Sequence, residues 1–198
     1  MNQKVLGFFR QYRFIIAAAA AIVSIAATVE LLMGRSFFGP DGKFGLWEGD
    51  IWSSENSQRF ADPYSFSHII HGMFFYGLFF LAARRLPLRC RFLMALGLET
   101  SWEILENSPL IINRYREATI SLGYVGDSVF NSMSDALMMS LGFLLAWRLP
   151  VRVTVIAIVV MEVGCALWVR DNLTFNIIML IHPIAAIKAW QAAGQPHP

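Results

Sequence analysis

The chain has 198 residues, of which 56% are hydrophobic and 15% are charged, with a net charge of +2. Soluble domains carry roughly 25% charged residues, so the composition excludes an ordinary soluble domain. The weak net charge gives no sign of nucleic-acid binding. The two cysteines, Cys90 and Cys165, lack the spacing of a disulfide framework or of a cysteine-based zinc site.

Long apolar stretches predict an all-α, polytopic membrane helix bundle with about six transmembrane helices, in a single domain over residues 1–198. The first stretch follows Lys4, Arg10 and Arg13, and its length favours an uncleaved anchor over a signal peptide. In chain order the predicted spans are residues 14–33, 66–83, 92–112, 127–147, 153–169 and 173–190.

The basic residues give the predicted orientation. With the N-terminus inside, most lysines and arginines fall on the cytoplasmic side, as the positive-inside rule requires. These are Lys4, Arg10, Arg13, Arg84, Arg85, Arg89, Arg91, Arg148, Arg152 and Lys188. Every Asp and Glu falls in an outer loop or inside a span. We therefore expect a multi-pass protein of the bacterial inner (plasma) membrane, with both termini cytoplasmic and a functional outer face.

Two longer segments are predicted on the outer side. Residues 34–65 are rich in Gly, Ser, Asp and aromatic residues, which indicates a surface loop with a short amphipathic helix. Residues 113–126 form the second outer loop and carry Arg114-Tyr115-Arg116.

Ionisable and polar residues follow helical spacing in three of the predicted spans. They are His68 and His71; Glu99, Glu103 and Glu106; and Asp127, Asn131 and Asp135. Counting the rise per residue places several of them about 5–12 Å below the outer surface. An unpaired charge in hydrocarbon costs about 2.5–3.5 kcal/mol even on lenient scales. These side chains must therefore face one another, a water-filled cavity or a bound ion.

Imidazole and carboxylate groups that face one another are common ligands of zinc or iron. The predicted metal ligands are His68, His71, Glu103, Asp127 and Asp135. A metal-activated water would attack an ester or amide, with Glu99 or Glu106 as the general base. A guanidinium pair matches phosphate, so Arg114 and Arg116, with Asn107 and Arg170, are the predicted substrate-binding residues.

Other interpretations stay open at this stage. Ser132 or Ser128 is a candidate nucleophile, activated by His68 or His71 without any metal. The cluster also suits a non-catalytic lipid-binding or membrane-complex assembly protein, in which it fixes helix packing. A proton- or ion-coupled transporter is the third function, with membrane lipids or a membrane protein as partners throughout. The pair His182-Pro183 predicts a kink, with the histidine bonded to a freed main-chain carbonyl.

The motifs together resemble a known family. They are Leu46-Trp47-Glu48-Gly49-Asp50, His68-Ile69-Ile70-His71-Gly72, Trp102-Glu103-Ile104-Leu105-Glu106-Asn107 and Arg170-Asp171-Asn172-Leu173. The chain resembles an uncharacterised bacterial inner-membrane protein family, domain of unknown function 2585. The resemblance implies a multi-pass membrane location and no particular activity. Many members carry a cysteine pair before the Leu-Trp segment, where this chain has Phe37-Phe38-Gly39-Pro40. The cluster is similar to the sites of intramembrane zinc amidases only in its general arrangement, with His, Asp, Glu and Ser near one leaflet.

Overall fold

The computed structural model describes residues 3–195, with side chains from residue 13 onward, and every regular element in that range is an α-helix. The helices are α1 (Gln3–Leu32), α2 (Ser65–Ala82), α3 (Leu88–Glu106), α4 (Pro109–Ala118), α5 (Val129–Arg148), α6 (Val151–Val169), α7 (Leu173–Ile181) and α8 (Ala185–Ala192). The predicted all-helical fold is thereby confirmed.

Four stretches are long and apolar enough to cross a bilayer: Arg13–Leu32 in α1, and the whole of α2, α5 and α6. Helix α6 exposes apolar side chains around much of its circumference, including Val151, Ile156 and Leu167. A helix that is apolar on its outward face suits contact with lipid. These features are those of a membrane protein.

The predicted third span is wrong in its boundaries. Helix α3 ends at Glu106, and α4 starts at Pro109 after a break at Asn107 and Ser108. Proline at the first helical position needs no hydrogen-bonded N–H, but it disfavours a helical conformation at the preceding residue. The amphipathic helix predicted for residues 34–65 is also absent from the described structure of that segment, whose backbone forms turns.

The predicted sixth span, residues 173–190, is two short helices. Helix α7 ends before His182-Pro183, which agrees with the predicted break. The freed carbonyl of Leu180 accepts a hydrogen bond of 2.7 Å from Arg114 Nε, and the sequence had suggested His182 for this role.

Helix α8 then turns back. The Gln191 side chain donates to Asp171 at 2.8 Å, and Lys188 Nζ donates to the carbonyl of Glu117 at 3.0 Å. Asp171 lies between α6 and α7, beside Tyr64 at the start of α2. The described part of α8 therefore lies at the end of the bundle opposite the start of α1. This differs from the predicted arrangement, in which both termini and Lys188 share one side.

Helices α2 and α5 form the centre of the bundle. A Cβ atom on Gly72 would overlap the backbone of Met139 and Phe143, and one on Gly142 would overlap the backbone at Ile69. Glycine at both positions lets the two backbones touch. The buried core around this contact is apolar and consists of Ala95, Leu96, Ala136, Met139 and Phe143. The close approach fixes the register between the polar residues of α2 and those of α5.

The segment between α1 and α2 covers the start of α5. Gln58 Nε2 donates to the Gly126 carbonyl at 2.8 Å, and Asn131 Nδ2 donates to the Arg59 carbonyl at 2.8 Å. Arg59 also pairs with Asp41 at 2.9 Å, which holds the pKa of that carboxyl below its ordinary value. The segment is therefore held in place over the polar end of the bundle.

Candidate functional site

A cavity of about 440 Å³ lies beneath that segment, among α2, α3, α4, α5 and α7. Its polar lining includes both predicted histidines and three of the predicted acids. The polar and aromatic-hydroxyl residues are Asn56, Ser57, Asp62, Tyr64, Ser67, His68, His71, Glu106, Tyr115, Ser121, Tyr124, Asp127, Asn131, Asp135 and Asn176. Apolar side chains form the rest of the wall, namely Phe74, Phe75, Leu98, Trp102, Leu173, Ile177 and Leu180.

Two histidines meet one glutamate at the wall of the cavity. His68 Nδ1 lies 2.6 Å from Glu99 Oε1, and His71 Nδ1 lies 3.1 Å from Glu99 Oε2. The spacing of three residues puts both imidazoles on one face of α2, and Glu99 reaches them from α3. One ligand atom from each residue lies within 4.8 Å of the others, so the three side chains are close enough together to contact a single ion. Glu99, predicted as a base, therefore lies in contact with the two predicted ligands His68 and His71.

Further carboxylates surround His68. Its Nδ1 lies 3.4 Å from Glu103 Oε1, and its Nε2 lies 3.8 Å from Asp135 Oδ2. Both ring nitrogens therefore face carboxylate oxygens. The predicted gathering of α2, α3 and α5 side chains into one cluster is observed.

A second acidic group lies one helical turn further along α3. Glu103, Glu106 and Asp127 each offer an oxygen within 4.8 Å of the other two. Tyr124 donates its hydroxyl proton to Asp127 Oδ1 at 2.9 Å, and the backbone N–H of Asp127 donates to Asn107 Oδ1 at 2.7 Å. These contacts fix the position of Asp127 beside the cavity.

The carboxylates in and beside the cavity have few positively charged side chains as partners. Among the described side chains, their salt bridges are with His68 and His71 alone. Both oxygens of Glu103 and Oδ1 of Asp135 are buried without a hydrogen-bond partner there. Unpaired buried carboxylate is unfavourable, so the cluster requires protons or cations that the described side chains do not supply.

The predicted substrate-binding residues lie outside the cavity lining. Arg114 binds the end of α7, Arg116 Nε donates to the Tyr124 carbonyl at 2.5 Å, and Arg170 donates to the Trp190 carbonyl at 3.1 Å. Asn107 is fully buried between Ser132 and Asp127. The structure places all four in contacts that hold the helices and loops around the cavity.

The serine candidates are also directed elsewhere. Ser132 Oγ accepts a hydrogen bond from Asn107 Nδ2 at 3.2 Å and contacts Glu30 of α1. Ser128 caps α5 and donates to the Gln58 carbonyl at 3.1 Å. Neither hydroxyl has a histidine as its hydrogen-bond partner in the described structure, so the geometry gives no nucleophile–base pair.

Sequence reasoning missed several residues of this region. Tyr115 and Tyr124 approach the second acidic group from α4 and the loop that follows it. Asp62 lines the cavity, but the backbone N–H groups of Ser57 and Tyr64 satisfy its carboxylate. The Arg114-Tyr115-Arg116 motif of the predicted outer loop was a signal for Tyr115. Consecutive residues of a helix point about 100° apart, so the tyrosine faces a different direction from both arginines.

Comparison with known proteins identifies the family. The family described as "Protein of unknown function (DUF2585)" matches residues 30–193. The chain belongs to the DUF2585 family. It is 52% identical over 175 residues to a UPF0314 protein of Sinorhizobium fredii, covering 88% of this chain and 89% of that one. A UPF0314 protein of Rhizobium etli is 49% identical over 182 residues, covering 92% and 93%. No solved structure matches this DUF2585 chain.

Proposed function

We propose that this DUF2585 protein is a multi-pass protein of the bacterial inner membrane that holds zinc or iron in an outward-facing cavity. The metal serves hydrolysis or group transfer on a lipid or a lipid-linked group at the outer leaflet. One observation carries the proposal: His68, His71 and Glu99 converge at a cavity whose other carboxylates have no lysine or arginine partner among the described side chains.

The arrangement of charges supports the outward orientation. The turns at the opposite end of the bundle carry Arg84 and Arg85 between α2 and α3, and Arg148 at the end of α5. Basic connections of this kind face the cytoplasm, which turns the cavity outward. In this orientation α1, α2, α3, α5 and α6 cross the membrane, while the pair α7 and α8 enters from the outer side and returns.

The spacing of the three ligand atoms supports a metal of zinc type. Bonds of about 2.0–2.1 Å in a tetrahedral site put neighbouring ligand atoms about 3.3 Å apart. Glu99 Oε1 lies 2.6 Å from His68 Nδ1 and 3.3 Å from His71 Nδ1, so one distance has that value already and the other needs a small expansion. The fourth position of such a site is open for water.

The chemistry follows from a metal-activated water. A zinc or iron ion held by His68, His71 and Glu99 would supply activation of water near neutral pH. Asp135, whose Oδ1 has no hydrogen-bond partner among the described side chains, would accept the released proton. The oxygen of this water would add to the acyl carbon of an ester or amide. The bond to the leaving alcohol or amine then breaks, and the proton returns from Asp135 to that group.

The shape of the cavity supports a lipid substrate. Its apolar wall contains Phe74 of α2 and Leu98 of α3, which are also 57% and 42% exposed on the lateral surface of the bundle. The cavity therefore reaches the face that we assign to lipid. An acyl chain would occupy this apolar part while the ester or amide lies at the polar part.

Metal content tests the proposal. The protein, without a histidine tag, is purified in mild detergent, and its zinc and iron are measured by mass spectrometry. We expect about one zinc or iron per chain, lost in His68→Ala and His71→Ala and kept in His182→Ala. His182 is a matched control because it lies at the end of α7 and outside the cavity lining. Lipid esters and amides are then screened against the wild type and His71→Ala.

Absence of zinc and iron in wild-type protein, after growth in supplemented medium, would refute the metal proposal. The cavity would then fit the second candidate, a non-catalytic lipid-binding or assembly protein, because its apolar wall is independent of the metal. Transport is the least supported candidate. The buried core between the cavity and the opposite end is apolar, with Leu96, Met139 and Phe143.

A further inference from the structure

The acidic group formed by Glu103, Glu106 and Asp127 is separate from the histidine site. Glu103 lies four residues after Glu99 on α3, so about 6 Å of helix separates their backbones. One oxygen from each member of the group lies within 4.8 Å of the others. Glu106 and Asp127 line the cavity, whereas Glu103 lies outside its lining, on the side of His68. The group contains no nitrogen ligand.

The Glu103 side chain lacks a partner within the described structure. It is 1% exposed, and neither carboxylate oxygen accepts a hydrogen bond. The nearest cationic candidate is His68, whose Nδ1 lies 3.4 Å away but already contacts Glu99 at 2.6 Å. A carboxylate this deeply buried must be neutralised, and a metal at the histidines and Glu99 leaves Glu106 and Asp127 without a counter-charge.

Neighbouring groups orient this second set of oxygens. The Tyr124 hydroxyl binds Asp127 Oδ1 and leaves Oδ2 for another partner. The Tyr115 hydroxyl lies within hydrogen-bond reach of Glu106. Hydrogen bonds from outer groups to ligating carboxylates are usual in metal sites, because they fix the direction of the remaining lone pairs.

We propose that Glu103, Glu106 and Asp127 bind a second divalent cation, of the hard type that prefers oxygen ligands, such as Mn²⁺ or Mg²⁺. An all-carboxylate set favours such ions, whereas the pair of imidazoles favours zinc or iron. Glu103 lies between the two sets and is able to bridge them. The inference rests on the proposed function in so far as it adds a second ion to the same cavity.

Manganese titration tests the second site. Full-length protein in detergent is stripped of metal, loaded with zinc, and titrated with Mn²⁺ while free manganese is followed by electron paramagnetic resonance. The wild type should bind one Mn²⁺ and one zinc per chain. Asp127→Asn and Glu106→Gln should weaken Mn²⁺ binding at least about tenfold while zinc stays bound. Retained zinc also shows that each variant is folded.

Two controls separate this inference from the proposed function. Asp41→Asn removes an acid that pairs with Arg59 outside the cavity, and it should bind Mn²⁺ like the wild type. His71→Ala should lose zinc and keep Mn²⁺. Zinc binding without Mn²⁺ binding, or Mn²⁺ affinity unchanged in Asp127→Asn and Glu106→Gln, would overturn the second site and leave the first intact. Mn²⁺ binding without zinc would support the second site and refute the first.

Discussion

The contact between α2 and α5 should be the most sensitive point of the fold, and Gly72→Ala tests it. The added Cβ would overlap backbone atoms of Met139 and Phe143, which cannot turn aside as a flexible side chain would. Overpacking of this kind typically costs about 1–3 kcal/mol, and the backbone contact places it towards the upper limit. The helices must separate, which also widens the 3.8 Å contact from His68 to Asp135.

Gly77→Ala is the matched control on the same helix. Nothing lies within 4 Å of the Cβ position there, and alanine is more favourable than glycine in a helix by about 0.5–1 kcal/mol. We therefore expect Gly77→Ala to be neutral or stabilising, with a difference of about 3 kcal/mol between the two variants.

The assay is unfolding in detergent, by heat or denaturant, together with the zinc and iron content of both variants. Gly72→Ala should unfold earlier and lose affinity for the metal, because the α2 ligands move relative to α5. If Gly72→Ala matched Gly77→Ala in both measurements, the close approach of the two helices, and the register that it gives the cluster, would be refuted.

Three further predictions concern single side chains. Arg114→Ala should remove the hydrogen bond to the Leu180 carbonyl and destabilise the protein by about 1–2 kcal/mol, with faster hydrogen exchange at the amides of His182 and Ile184. Ser132→Ala should cost about 1 kcal/mol of stability and leave the metal content unchanged, since its partner is Asn107. Burial raises the pKa of Asp171 from 3.8 to about 6, so the folded state holds its proton more tightly than the unfolded state. Stability from this group is thus present below pH 4 and lost as the pH rises to 6. The unfolding temperature of the wild type relative to Asp171→Asn should accordingly rise on acidification, by the equivalent of about 3 kcal/mol at most.

The composition of the candidate site was predictable because helical periodicity is a local property. His68 and His71 had to share a face of α2, and Glu99 and Glu103 had to share a face of α3. The pairing between them was not predictable. Glu99, rather than Glu103, takes both imidazoles because the glycine contact between α2 and α5 and the packing of α3 fix the offset of the helices.

The helix boundaries and the roles of the arginines show what sequence patterns leave out. The apolar residues Leu110, Ile111 and Ile112 follow Pro109 directly, so a count of hydrophobic residues extends the span past the proline. Local backbone chemistry ends the helix before that point. The distribution of basic residues along the sequence shows that Arg114 is unusual, because it lies on the predicted outer side of the membrane, where arginine is less common. It does not distinguish a phosphate from a main-chain carbonyl as the partner, because a guanidinium donates to both.

The cavity and its unbalanced charge together argue against a packing network. A polar network that served only helix association would fill its space and pair its charges. Here the guanidinium of Arg114 donates to main-chain carbonyls at the end of α7, and the salt bridges of the cavity carboxylates are with His68 and His71 alone among the described side chains. The result is about 440 Å³ of space lined by carboxylates and two imidazoles. A divalent cation would supply positive charge without the volume of an arginine or lysine side chain. It would therefore leave room in the cavity for water and substrate.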